Sequence, residues 1–380
     1  MTAKKLIVFI LLAILQLSML ACGGAAEPVE IPSHAFYIGF TPFPYDASLQ
    51  SVFSTFEVIE RDANLITFHY DRGVPWDASL ANDFSQFPQD LQEETEGHNI
   101  LKPKNHKTYL AVTPLSFPHR DSLAPTLEFG GVETNQEPWT SYSFNNADVK
   151  EAFFNFCHLM IEKLNPDFFA FAIEVNMLRS QVDDAIWNEY LELAAETYSR
   201  LKQAYPDLEV FQTFQVEFYY RDETNQHTAI TQAMQYSDIL ALSAYPFIHD
   251  AIYSDGDIAD PAQLPSDYFS KLATLAPEKK VAIAETGWIA ETLDDPCPIT
   301  IQANETLQAQ YVQWILNNAE ELQMPFLTWF FSRDYDALWE NSGISDSQYA
   351  SLVRIWRDTG LYDGGGNPRE ALSIWRSYLD

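Results

Sequence analysis

The stretch Lys280–Trp288 reads Lys-Val-Ala-Ile-Ala-Glu-Thr-Gly-Trp and ends a short apolar run on a carboxylate. Residues 281–284 are small or β-branched, which is typical of a strand buried on both faces. An ionised carboxylate at the end of such a strand is costly unless it is paired or used. In parallel α/β folds, ligands and reacting groups lie at the carboxyl ends of the strands. We therefore expect Glu285 to be a functional residue.

Strand candidates recur along the chain, and helical patterns lie between most of them. The candidates are 35–41, 64–70, 107–114, 167–175, 208–218, 238–245, 280–285 and 325–331. Strands that alternate with helices imply right-handed βαβ units and a parallel sheet. Eight units predict an α/β fold, a (β/α)8 TIM barrel that is a single domain with enlarged βα loops. The alternative is a doubly wound open sheet, which usually carries a glycine-rich first turn, whereas Pro42-Phe43-Pro44 follows the first candidate here.

Side-chain alternation within the strands predicts an active-site mouth. Every second residue of a barrel strand points inward. Ala170, Ala172 and Glu174 then share one face of the fourth strand, and Gln215 and Glu217 share one face of the fifth. Polar residues gather near the carboxyl ends, as expected for a site at that end of the barrel.

The first residues have the pattern of an export signal. Lys4 and Lys5 precede the uncharged stretch 6–20, which fits the charged and apolar regions of a secretory signal. Met19-Leu20-Ala21-Cys22 resembles a bacterial lipoprotein signal, in which Cys22 is acylated. We expect a signal peptide over 1–21, a tether over 22–33 and the barrel domain over 34–380, lipid-anchored in the bacterial cell envelope. An ordinary secretory signal with an incidental cysteine is the alternative.

The formal charge of −32 over 380 residues argues against nucleic acid and anionic membrane surfaces as partners. The charge fits a neutral or cationic ligand, and we expect membrane contact through the anchor only. The histidines show no close metal-ligand spacing, so we expect no metal and no cofactor. Cys157 fits a buried helical position, although pairing with Cys297 stays open. The sequence specifies no oligomeric state.

Two glutamates, Glu174 after the fourth strand and Glu285 after the seventh, suit retaining glycoside hydrolysis. That reaction needs one carboxylate as nucleophile and one carboxyl group as general acid/base. The apolar approach over 168–173 predicts a raised pKa for Glu174 through desolvation. The alternative is that each glutamate pairs with an arginine, Arg179 or Arg333.

The chain resembles the clan A retaining glycoside hydrolases, which are (β/α)8 barrels. Residues 280–288 are similar to their nucleophile strand, particularly in family 53 endo-β-1,4-galactanases and family 17 glucanases. Residues 237–247 resemble the sixth strand of family 53, and 174–176 match part of its acid/base motif. The resemblance implies that Glu285 is the nucleophile, that Glu174 is the acid/base and that Tyr245 hydrogen-bonds the nucleophile.

The chain departs from this clan beside the acid/base. The clan usually places there an asparagine that binds the sugar 2-hydroxyl, whereas this chain has Ile173. We expect one of three other side chains to supply that hydrogen bond, namely Asn176, Gln215 or His69. His69-Tyr70-Asp71-Arg72 also replaces the arginine-rich second strand of family 53.

Tryptophans complete the expected site. Trp329 resembles the tryptophan that floors the catalytic subsite in the clan, and Trp288 lies beside the nucleophile, where its indole suits stacking on a sugar. Together these residues predict a glycosidase that cleaves a galactan-like or other neutral β-linked glycan by double displacement. The alternative is a non-catalytic, surface-anchored glycan-binding barrel lipoprotein.

Overall fold

The computed structural model describes residues 36–248, 260–293, 300–343 and 350–379. The signal, the tether with Cys22, and Cys297 lie outside these ranges. Eight parallel strands close into a barrel, which confirms the predicted (β/α)8 fold. They are β1 Tyr37–Thr41, β2 Leu65–Tyr70, β3 Lys107–Val112, β4 Phe168–Ala172, β5 Glu209–Gln215, β6 Ile239–Ala244, β7 Lys280–Thr286 and β8 Phe326–Phe331. Strands β5 and β6 separate β4 from β7 around the barrel.

Helices surround the barrel and begin at residues that can cap them. The side chains of Asn146, Asp183 and Asn304 each accept a backbone N–H at the first turn of a long helix, which satisfies a donor that has no partner within the helix. No helix in the described ranges has the length and apolar character needed to cross a membrane. The helices are α1 Leu49–Asp62, α2 Trp76–Leu80, α3 Gln89–Leu101, α4 Ala147–Leu164, α5 Val175–Arg179, α6 Asp184–Ala204, α7 Val216–Arg221, α8 Glu223–Ala233, α9 Ser270–Ala273, α10 Glu305–Glu321, α11 Asp336–Asn341, α12 Ala350–Arg354 and α13 Glu370–Arg376.

The barrel interior is filled by aromatic rings set among small side chains. Phe326 packs against Tyr109 at 5.1 Å and against Phe168 at 4.7 Å between ring centroids. Ala170 and Ala282 belong to the same interior cluster. Alternating large and small residues fit a tapered barrel. The interior is therefore a packed core, and space for a ligand lies above it.

Two irregularities in strand pairing change which side chains enter the mouth. The β4–β5 register shifts between Ala170 and Ala172. Ala172 consequently packs in the outer core, while Ile173 joins Ala170 in the barrel interior. The predicted shared face of Ala170, Ala172 and Glu174 is therefore wrong, because a bulge inserts one residue and reverses the alternation.

A second bulge lies in β7 and determines which way Glu285 points. Ala282 and Ala284 both point into the barrel interior, so strict alternation would turn Glu285 outward. The β6–β7 register instead shifts, pairing Leu242 with Ile283 and Ser243 with Glu285. The extra residue turns Glu285 toward the mouth.

The fifth strand is shorter than predicted. It ends at Gln215, whose side chain accepts the backbone N–H of Phe218 and caps α7. Glu217 therefore lies on a helix, and its position does not follow from strand alternation. Pro and Gly are absent from this boundary, so the cap is what marks it.

Candidate active site

Glu285 is the residue before the last one of β7, and it contacts one side chain just after β6 and one on β2. The Tyr245 hydroxyl, just after β6, donates to Glu285 Oε1 at 2.6 Å. His69 on β2 places Nδ1 3.6 Å from Glu285 Oε2. Burial lowers the pKa of His69 to about 4, so this imidazole is neutral at pH 7 and gives Glu285 no full positive charge.

Glu174 follows β4 in a strained backbone conformation. Its φ is 53° and its ψ is 44°, in the left-handed region that non-glycine residues rarely adopt. The Glu174 backbone N–H donates to Thr213 Oγ1 on β5 at 2.8 Å. Strain of this kind persists where surrounding contacts impose it, and it clusters at functional sites.

Arg120 lies beside Glu174 and comes from the long loop after β3. Its side chain is 4% exposed, and Nε is 3.9 Å from Glu174 Oε2. The Nη2 atom donates to Asp71 Oδ2 at 3.0 Å. A backbone bridge between Leu115 and Leu123 closes the loop that carries Arg120.

The two glutamates experience different electrostatic surroundings. Burial and then the charge of Glu174 raise the pKa of Glu285 well above its usual value, and the Tyr245 hydrogen bond opposes the rise. Burial also raises the pKa of Glu174, but the Arg120 guanidinium opposes that rise. Burial and mutual repulsion therefore favour one proton on the pair over two ionised carboxylates.

A third carboxyl group, Glu217, stands behind Glu285 and is fully buried. Its Oε1 accepts the backbone N–H of Tyr245 and the Tyr268 hydroxyl, each at 2.9 Å, and its Oε2 accepts Gln215 Nε2 at 2.6 Å. Burial raises the pKa of Glu217 to about 7. These contacts hold the backbone that carries Tyr245, so Glu217 is a positioning group.

Five residues predicted for the site line one cavity of about 1420 Å³, namely Glu174, Glu285, Tyr245, His69 and Gln215. The arginine pairings considered as the alternative are not those observed. Arg179 pairs with Asp184 at 2.6 Å, and Arg333 donates to the Gly364 carbonyl.

Asn176 is buried and lies outside the cavity wall. Its Nδ2 donates to the Gln215 carbonyl and to Gln226 Oε1, and its Oδ1 accepts the Gln215 backbone N–H. The structure therefore places Asn176 as a brace between α5, the end of β5 and α8. Gln215 also has both amide atoms engaged, with Glu217 and with Phe218.

The predicted tryptophans lie outside the cavity wall. Trp329 is fully buried on the outer face of β8, and its indole N–H donates to the Thr359 carbonyl at 2.9 Å. Trp288 packs on Tyr311 at 4.8 Å. The face of β8 that carries Trp329 and Leu327 is the outer one, because Thr328, on the opposite face, meets Thr67 of β2 inside the barrel at 2.8 Å between hydroxyl oxygens.

Sequence reasoning missed several residues of the wall, among them Trp356 and Arg120. Trp356 follows α12, lines the cavity and packs edge-on against Tyr245 at 5.8 Å between centroids. Arg120 carried no motif. The signal that could have marked it is the scarcity of cations in this acidic chain combined with its place in a long loop after a strand end.

Three carboxylates elsewhere are close enough to hold a cation. Asp334, Asp336 and Asp358 place oxygens within 4.8 Å of one another. Arg369 forms an ion pair with Asp334, and Arg357 contacts Asp336 at 3.5 Å and Asp358 at 2.7 Å. The arginines supply the positive charge that a cation would bring, so this cluster reads as a structural network.

No protein-family model and no curated protein matches the chain. Solved structures of glycoside hydrolases do match it. The GH53 catalytic domain of Ignisphaera aggregans has a TM-score of 0.52 at 17% identity, over 86% of this chain and 88% of that one. An exo-β-1,4-mannosidase from an Opitutaceae bacterium has a TM-score of 0.62 at 13% identity, over 90% and 59% of the two chains.

A GH5_18 protein of Bifidobacterium longum gives a TM-score of 0.62 at 13% identity, over 90% of this chain and 78% of that one. Members of families 53 and 5 thus match at comparable levels. At these identities the likeness establishes a shared barrel fold with glycoside hydrolases and assigns the chain to no single family.

Proposed function

We propose that this protein is a retaining glycoside hydrolase that cleaves a neutral β-linked glycan, with Glu285 as nucleophile and Glu174 as acid/base. The observation that carries the proposal is that the buried Glu285, near the end of β7, and the partly buried Glu174, just after β4, line one cavity. The hydrogen bond from Tyr245 orients Glu285. The structural likeness to glycoside hydrolases supports the same class.

The chemistry proceeds in two displacements. A Glu285 oxygen attacks the anomeric carbon and forms a glycosyl ester, while the bond to the leaving oxygen breaks and Glu174 donates its proton to that oxygen. Glu174 then takes a proton from water. The water oxygen attacks the anomeric carbon and releases Glu285, so the product keeps the β configuration.

Substrate must move the shared proton. Arg120 favours an ionised Glu174 in the empty site, whereas the first displacement needs the proton there. A bound glycoside brings developing positive charge next to Glu285, which favours its ionised form, and a leaving oxygen next to Glu174, which accepts a proton. The reacting substrate therefore favours an ionised Glu285 and a protonated Glu174, which the empty site does not.

A non-catalytic glycan-binding barrel is the second candidate. The observation that favours it is the pairing of Arg120 with Glu174, together with the apolar Ile173 where the clan has a hydrogen-bonding asparagine. A protein of this kind would bind oligosaccharides in the same cavity and leave them intact.

Hydrolysis of β-glucans, β-galactans and β-mannans, followed by reducing-end release, distinguishes the candidates. We expect the wild-type protein to cleave one of these glycans and both Glu285→Gln and Glu174→Gln to lose the activity while remaining folded. Binding of a glycan by the wild-type protein without cleavage supports the second candidate. Cleavage that survives in both variants overturns the assignment of the two glutamates.

We further propose, from the sequence around Cys22, that the chain is exported and lipid-anchored in the cell envelope. Expression of the full chain and of Cys22→Ser in a bacterium, followed by membrane fractionation and labelling with a fatty-acid analogue, tests this. We expect label and membrane association to be lost in the variant. Equal labelling of both proteins overturns the proposal.

A further inference from the structure

The residue before Glu174 is apolar. Ile173 is 2% exposed, and its side chain packs in the barrel interior among apolar residues. An isoleucine side chain offers no hydrogen-bond donor to a sugar. A hydroxyl bound next to Glu174 must therefore find its partner on another residue, or lose its hydrogen bonds to water without replacement.

Two side chains expected to provide that partner are already engaged. The amide groups of Asn176 and Gln215 are committed at both oxygen and nitrogen to protein groups. His69 contacts the other glutamate, Glu285, through Nδ1 at 3.6 Å, and its Nε2 has no hydrogen-bond partner within the described residues. The amides of Asn176 and Gln215 therefore have no free donor for a hydroxyl next to Glu174.

Arg120 does have free donors at that place. Its side chain is 4% exposed and lines the cavity, yet neither Nε nor Nη1 has a hydrogen-bond partner within the part of the chain that the structure describes. Buried guanidinium N–H groups are almost always satisfied, because leaving them unpaired costs free energy. Unpaired donors in a cavity wall point to a bound ligand as the missing partner.

The backbone at both residues supports a functional pairing. Arg120 has a φ of 56° and Glu174 a φ of 53°, so two non-glycine residues in the left-handed region face each other in this cavity. Arg120 and Glu174 come from different βα loops. Surrounding contacts that hold both in this conformation fix the guanidinium against the carboxyl group.

We propose that Arg120 binds the sugar hydroxyl adjacent to the anomeric carbon, so that the substrates are β-glycosides with a free 2-hydroxyl. This rests on the proposed function. Glu174 acts at the anomeric oxygen, and the neighbouring hydroxyl is the 2-hydroxyl. Asp71 already balances the Arg120 charge at 3.0 Å, and an anionic sugar substituent there would face three carboxylates. A neutral hydroxyl that accepts from the guanidinium fits this balance.

The test compares 2,4-dinitrophenyl β-glycosides of galactose and glucose with their 2-deoxy analogues. Dinitrophenolate leaves without protonation, and kcat/KM reports only the steps up to glycosyl transfer, so altered acid catalysis by Glu174 does not enter the comparison. We expect wild-type kcat/KM to fall about tenfold to a hundredfold on removal of the 2-hydroxyl. In Arg120→Met the ratio of kcat/KM between the parent glycoside and its 2-deoxy analogue should shrink to about twofold or less. In Arg120→Lys the ratio should lie between those of the wild type and Arg120→Met.

Arg179→Met is the matched control, because Arg179 also lines the cavity but pairs with Asp184. Its ratio for the two substrates should equal that of the wild type. If Arg120→Met does not fold, Asp71→Asn combined with Arg120→Met removes both charges and is read in the same way.

The possible outcomes separate the two proposals. No cleavage of any glycoside by the wild-type protein overturns the proposed function. Cleavage with full 2-hydroxyl discrimination in Arg120→Met overturns the role of Arg120 alone. A purely structural role for Arg120 would lower kcat/KM equally for both substrates, and that result also overturns the inference.

Discussion

Tyr245 and Glu285 are joined by a 2.6 Å hydrogen bond that crosses from the end of β6 to the end of β7. Burial raises the pKa of Tyr245 well above its usual value, so the phenol stays protonated and donates. A second carboxyl group, Glu217, holds the Tyr245 backbone N–H. The orientation of Glu285 thus depends on two successive contacts.

Tyr245→Phe removes the donor and should lower kcat/KM by roughly tenfold to a hundredfold, because a hydrogen bond to a charged group contributes about 1.5–3 kcal/mol. Steady-state kinetics on the glycan identified by the hydrolysis panel measures the change. Tyr268→Phe is the control, since that hydroxyl donates to Glu217 and not to Glu285. Equal losses in both variants would contradict a specific effect on Glu285.

Azide rescue tests the roles of the two glutamates. Glu285→Ala should lose about 10³-fold or more of the activity, and azide should restore turnover by replacing the missing carboxylate, giving an α-glycosyl azide from an activated β-glycoside. Glu174→Ala should instead give a β-glycosyl azide from the covalent intermediate. NMR of the products reads the anomeric configuration. The opposite pair of products would exchange the roles.

Glu217 should make stability depend on pH. The folded state keeps its proton up to about pH 7, whereas the unfolded chain releases it near the ordinary value for glutamate. Between these values the folded state binds more protons, so the free energy of unfolding falls as pH rises, by about 3 kcal/mol from this residue.

Urea unfolding of the wild type and of Glu217→Gln at pH 5 and pH 8 measures that contribution. The variant should gain about 3 kcal/mol relative to the wild type at the higher pH. Glu57→Gln, at an exposed position, controls for the amide substitution. A difference between wild type and Glu217→Gln that stays constant with pH would refute the coupling.

Substitution of Trp329 should lower mainly the stability of the fold, whereas substitution of Trp356 should affect mainly the activity. Trp329→Phe removes a buried hydrogen bond and part of a core side chain, so unfolding should be easier by about 2–3 kcal/mol with kcat/KM nearly unchanged. Trp356→Phe alters the cavity wall and should raise KM several-fold with a smaller effect on stability. Thermal unfolding and kinetics on both variants check this, and a reversed pattern would place Trp329 at the ligand.

The strand pattern predicted most of the fold. All eight strands were placed to within a few residues, because apolar runs between helical segments are a local signal. The order of the strands then brings Glu174, Tyr245 and Glu285 to one end of the barrel. The end of β5 was misplaced, since the side-chain cap formed by Gln215 ends the strand without Pro or Gly.

The sequence by itself determined the barrel, and it indicated the two glutamates as its functional pair, because parallel strands share one carboxyl edge. Only the tertiary structure decided which side chains point into the mouth. The bulge before Glu285 turns it inward, the outer face of β8 takes Trp329, and a loop from β3 brings Arg120 to Glu174. Bulges and loop placement depend on packing between elements distant in sequence, which a local alternation pattern does not contain.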